Sequence, residues 1–61
     1  MSTTIFICQL PQNKQKAIEK AVIDFLYLYG YRGQELKEVT KNAMSSRLCD
    51  IEENINVIEF I

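Results

Sequence analysis

A small, mainly helical α+β domain is the fold class this sequence predicts, ordered strand–helix–helix–short strand and associating as a homodimer. Three observations lead there. Residues 12–28 repeat apolar side chains at helical spacing. Both ends of the chain, residues 2–10 and 55–61, are rich in β-branched and aromatic residues that suit a pleated strand. The composition is 48% hydrophobic in only 61 residues. A chain this short buries only about 60% of the surface its unfolded form exposes. Its apolar side chains therefore exceed what one small interior hides, and a second subunit or a dedicated partner is the expected remedy. The length allows one domain, residues 1–61.

The elements follow in chain order. Thr3, Thr4, Ile5, Phe6 and Ile7 open the first predicted strand, with Ile5 and Ile7 on one face and Phe6, Cys8 and Leu10 on the other. Pro11 ends it and suits the start of a helix, where its missing N–H costs nothing. In the helix, Ile18, Ala21, Val22, Phe25, Leu26 and Tyr29 form one stripe, expected to bury Phe25, Leu26 and Tyr29 within a subunit. Glu19, Ile23 and Tyr27 form a second row, so the helix is apolar nearly all round at its far end. Gly30 suits the left-handed position beyond a helix terminus. Tyr31-Arg32-Gly33 is short enough to join neighbouring helices. From Gln34 the helical pattern resumes with Leu36, Val39 and Ala43. It then slips by one to Met44, Leu48, Ile51 and Ile55, with Ser45-Ser46 at the slip. A continuous or kinked second helix is the preferred reading. A break into a third helix is the alternative, supported by the capping-box spacing Asp50-x-x-Glu53. Residues 55–61 are expected to close the fold as a strand pairing with residues 3–9.

Composition excludes several functions. Seven basic and eight acidic residues leave a net charge of −1, too little positive charge for a protein that lives on phosphate backbones. A helix-turn-helix reading, with Gln34, Lys37, Lys41, Asn42, Ser45 and Arg47 reaching bases, meets repulsion from Glu35 and Glu38. A small DNA-binding regulator is thus the alternative function, and nucleic acid is not the expected partner. No apolar run reaches the roughly 18 residues of a membrane span. The first residues lack a basic segment leading into a long apolar core, so the chain reads as cytoplasmic. Thiols stay reduced there, and Cys8 and Cys49 are expected to be free and largely buried. With no histidine there is no ordinary catalytic triad and no default base near neutral pH. Neither a catalytic set, a metal site nor a cofactor is expected; Asp50, Glu52, Glu53 and Glu59 read as a solvated acidic end.

The candidate binding residues are Ile23, Tyr27, Leu28, Tyr31 and Arg32. Tyrosine and arginine are enriched where binding energy concentrates, because they bring large contact area with a polar tip. Ile23, Tyr27 and Leu28 fall off the main stripe and Tyr31 lies in the turn beyond it. Arg47 and Asp50, three apart, can pair on a helix or lock a turn.

The segment at residues 42–52, Asn-Ala-Met-Ser-Ser-Arg-Leu-Cys-Asp-Ile-Glu, resembles the C-terminal signature of very short proteins from phages and mobile elements of low-GC Gram-positive bacteria. It covers about a fifth of the chain. In size and character the chain is similar to anti-defence proteins of phages, inhibitors of the Hachiman system among them. The resemblance implies a non-enzymatic inhibitor that binds a host antiviral protein in the bacterial cytoplasm and occludes it.

Overall fold

The apolar stripe folds as its periodicity predicts: helix α1 spans Gln12–Leu28. Pro11 precedes it in extended conformation, and its carbonyl accepts the N–H groups of Lys14 and Gln15, both at 3.0 Å. Gln15 then reaches back. Its side-chain amide donates to the carbonyls of Leu10 at 2.7 Å and Cys8 at 3.2 Å, tying the N-terminal segment onto α1. The computed structural model describes residues 4–56 and residue 59. In order it holds a 3-10 turn at Ile7–Gln9, α1, then α2 over Gly33–Met44 and a short α3 over Leu48–Ile51.

The α1–α2 connection is a complete Schellman turn. The N–H of Gly30 donates to the carbonyl of Tyr27 and that of Tyr31 to the carbonyl of Leu26, each at 3.1 Å. Gly30 sits at φ 102°, where an L side chain is strained. Tyr31 packs against the core above Leu26, the apolar contact that usually accompanies this motif.

The second helix is not continuous, which corrects the preferred sequence reading. It stops at Met44, where the apolar phase slips. The hydroxyl of Ser45 donates to the carbonyl of Lys41 at 3.1 Å and that of Ser46 to the carbonyl of Ala43. Ser46 thus takes up the Ala43 carbonyl that Arg47 N–H would have used in a further helical turn, while Ser45 back-bonds to a carbonyl its own N–H already shares. The freed backbone finds a partner in the N-terminal segment. Ile7 N–H donates to Ser46 O and Leu48 N–H to Ile5 O, both at 3.1 Å. A single antiparallel bridge, Phe6 to Arg47, results.

That bridge is all that becomes of the predicted first strand. Among the described residues there is no strand and no sheet, so the α+β strand–helix–helix–strand expectation is overturned: the described chain is helical. Phe6 is extended only long enough to bridge to Arg47, and the 3-10 turn at Ile7–Gln9 closes at once, with Phe6 N–H donating to the Gln9 side chain at 3.0 Å. The alternation of faces survives: Ile7 is buried and Ile5 half-buried, while Phe6 and Cys8 are exposed. The predicted closing strand at residues 55–61 lies largely outside the described residues.

Among the described residues, six form the core: Ile7, Ile18, Val22, Leu26, Leu48 and Ile51. Half come from α1 and the rest from the N-terminal turn and α3, so α2 contributes only half-buried apolar side chains, Leu36, Val39, Ala43 and Met44. Its one buried residue is Thr40, 7% exposed, whose hydroxyl has no hydrogen-bond partner among the described residues. An unpaired buried hydroxyl costs about 1–3 kcal/mol. Thr40→Val, of the same shape, is therefore expected to stabilise the fold by about 1 kcal/mol and raise the melting temperature by about 4–8 °C. Thermal unfolding followed by circular dichroism checks this; a lowered midpoint would mean that the hydroxyl serves the native fold.

Two burial expectations are also corrected. Tyr29 belongs to the stripe by spacing but stands at the C-cap of α1 and is exposed, its ring against Phe25 at 4.5 Å between centroids. Cys8 is exposed because it lies on the outward face of the N-terminal turn; Cys49 is half-buried, and both are free.

Candidate protein-binding surface

The end of α1 carries three large side chains in succession, and all three are exposed. Tyr27 is 51% exposed, Leu28 83% and Tyr29 71%. Consecutive helical residues point about 100° apart, so the three form a collar around the helix end rather than a flat stripe. The cause is local. The Schellman turn redirects the chain at Gly30, immediately beyond these residues.

Arg32 fixes one side of the collar. Its guanidinium lies 3.4 Å from the centroid of the Tyr27 ring and donates from one nitrogen to the carbonyls of Tyr27 and Tyr31, both at 2.7 Å. The same group thus caps the end of α1 and holds the tyrosine ring flat against it. A ring held by a cation loses less freedom when a partner covers it.

The five sequence-predicted binding residues do not form one patch. Tyr27 and Arg32 are brought into direct contact, with Leu28 beside them on the exposed collar. Tyr31 is half-buried against the core. Ile23, one turn before Tyr27 on the same row, is half-buried and lines a groove of about 560 Å³ between α1 and α2. Leu36, Lys37, Thr40, Lys41 and Met44 form the α2 wall of that groove, and Glu19 stands with Ile23 on the α1 wall. A smaller hollow continues past Glu19 and Met44 to Lys16. Sequence reasoning did not single out this groove. The available signal was the repeat Leu36, Thr40, Met44 on α2, four apart and therefore on one face, opposite the Glu19–Ile23–Tyr27 row.

Arg47 and Asp50 meet through the backbone. The Asp50 carboxylate accepts the Arg47 N–H at 2.9 Å, capping the first turn of α3, while the Arg47 guanidinium lies 4.9 Å from the centroid of the Phe6 ring. The capping carboxylate is thus Asp50 itself, serving the turn before it, and not Glu53 as the Asp50-x-x-Glu53 spacing suggested. Asp50 caps the α3 start, and Arg47 joins that start to the N-terminal segment at Phe6. No helix among the described residues is long and apolar enough to cross a membrane.

No protein-family model, curated protein or solved structure matches this chain. The surface must therefore be read from its own geometry.

Proposed function

We propose that this chain is a non-enzymatic protein-binding module that occludes its partner. The observation that carries the reading is the collar of Tyr27, Leu28 and Tyr29 at the end of α1, exposed beside Arg32. Three adjacent large apolar residues without cover are unusual on so small a surface. Tyrosine with a stacked arginine is the composition of binding hot spots. The occupant is a protein, since an aromatic collar with one cation offers neither a basic track for nucleic acid nor a concave pocket for a small molecule. The exposed residues of α2 set Lys37 and Lys41 against Glu35 and Glu38, so the helix carries no net positive charge to favour the DNA-binding alternative. The resemblance of residues 42–52 to short phage proteins makes a host antiviral protein the class of target to test first.

Tyr27→Ser combined with Leu28→Ser is expected to leave the fold intact, as both side chains are exposed, and to abolish capture of the partner from a lysate of bacteria carrying antiviral defence systems. A captured protein that rebinds when purified, with the wild type and not with the double variant, supports the module. Recovery of the same protein by both, or of nucleic acid alone, ends the reading. Light scattering assigns the occupant further. Twice the chain mass of 7.1 kDa, lost in the double variant, gives the collar to a second copy, whereas a monomer leaves it for a different protein.

A further inference from the structure

The groove between α1 and α2 is apolar at its floor and basic at its rim. Ile23, Leu36 and Met44 supply the floor; Lys37 and Lys41 stand on the α2 side, and Lys16 on the continuing hollow. Glu19 is the one acidic residue lining either part. The chain as a whole carries more acid than base, eight residues against seven, so positive charge is concentrated here while Asp24, Glu35, Glu38, Asp50, Glu52 and Glu53 lie elsewhere. The α2 wall runs from Leu36 to Ser45, about 14 Å along the axis at 1.5 Å per residue, or two and a half turns. Thr40, whose buried hydroxyl has no hydrogen-bond partner among the described residues, is part of that wall.

We infer that this groove receives an acidic amphipathic helix of the partner protein, its apolar face on Ile23, Leu36 and Met44 and its carboxylates toward Lys16, Lys37 and Lys41. The inference rests on the reading of the chain as a protein-binding module and names the kind of segment it takes. Length favours a helix: two to three turns present apolar anchors at i, i+4 and i+7, which matches the floor. Charge favours an acidic one, and three lysines spread along the groove suit several carboxylates better than one headgroup. An apolar floor with Glu19 at its edge disfavours a phosphate backbone. The Glu19–Ile23–Tyr27 row connects the groove to the collar, so one partner can occupy both.

The probe is a synthetic peptide of about 15 residues, roughly four helical turns, with leucine on one face and glutamate on the other, labelled for fluorescence anisotropy. Its twin carries lysine in place of glutamate. The acidic peptide is expected to bind, to weaken as salt rises, and to shift the backbone amide resonances of Ile23, Leu36, Thr40 and Met44. Lys37→Glu with Lys41→Glu, both exposed, is expected to cost about tenfold in affinity while preserving the circular dichroism spectrum. No binding, equal binding of the lysine twin, shifts confined to the collar, or displacement by duplex DNA or laurate would each overturn the inference. Its failure is separable from that of the module. A captured protein retained by the Lys37→Glu, Lys41→Glu variant but lost by Tyr27→Ser, Leu28→Ser leaves the module standing and removes the acidic helix.

Discussion

Ile18→Ala is expected to unfold this protein at room temperature. Ile18 is fully buried and sits at the middle of the core, among residues of the N-terminal turn, α1 and α3. Truncating a buried isoleucine costs about 2–5 kcal/mol, from lost transfer energy and from the cavity left behind. A single core of this size supplies only about 3–5 kcal/mol in all. One side chain therefore carries most of the margin, because six buried residues leave nothing to redistribute the loss. The measurement is far-UV circular dichroism with a urea titration at 25 °C. The expected result is a largely unfolded spectrum without denaturant. Leu28→Ala, at the exposed collar, is the matched control and is expected to change stability by less than about 0.5 kcal/mol. A cooperative transition for Ile18→Ala close to that of the wild type would mean that the six-residue cluster is not the stabilising core.

The second large effect is expected at Gly30. With φ at 102° the residue occupies a conformation open to glycine and costly for other L residues. A Cβ built there meets nothing within 4 Å, so the cost of Gly30→Ala is backbone strain alone, about 1–2 kcal/mol. Gly30→Asn is expected to lose less, since asparagine tolerates the left-handed region better. Urea titration of the pair checks this ordering. Equal losses for alanine and asparagine would contradict an origin in φ. The consequence reaches function. The Schellman turn at Gly30 sets where α2 departs, and hence both the exposure of Tyr27, Leu28 and Tyr29 and the walls of the groove beside Ile23. A variant that relaxes this turn is expected to weaken partner binding even where most helix remains.

How far the sequence could be read follows from the range of the forces involved. Helix α1 was legible from end to end because its stripe, its proline start and its glycine stop are local and agree with one another. Tyr27 and Leu28 were legible as surplus to a small core. Tyr29 was not, because spacing places it on the stripe although it stands exposed at the C-cap of α1. The first strand was misread for a related reason. Ile5-Phe6-Ile7 has strand propensity, but a strand exists only with a partner, and the backbone on offer is three residues long.

The break after Met44 shows the same division most clearly. The phase slip and the serine pair were visible as a conflict, and a continuous helix would have carried its apolar face gradually off the core. The competing gain was non-local: Leu48 and Ile51 enter the core beside Ile7 only if the helix stops and residues 46–48 pair with the N-terminal segment. By itself the sequence determined the first helix, the glycine turn and a surplus of aromatic surface, all products of neighbours within a few residues. Tertiary structure alone decided that α2 stops at Met44 with α3 separate from it, that Cys8 faces outward, and that Ile23 opens onto a basic-rimmed groove. Those outcomes depend on which backbone and side chains distant segments offer one another, and no local periodicity encodes that.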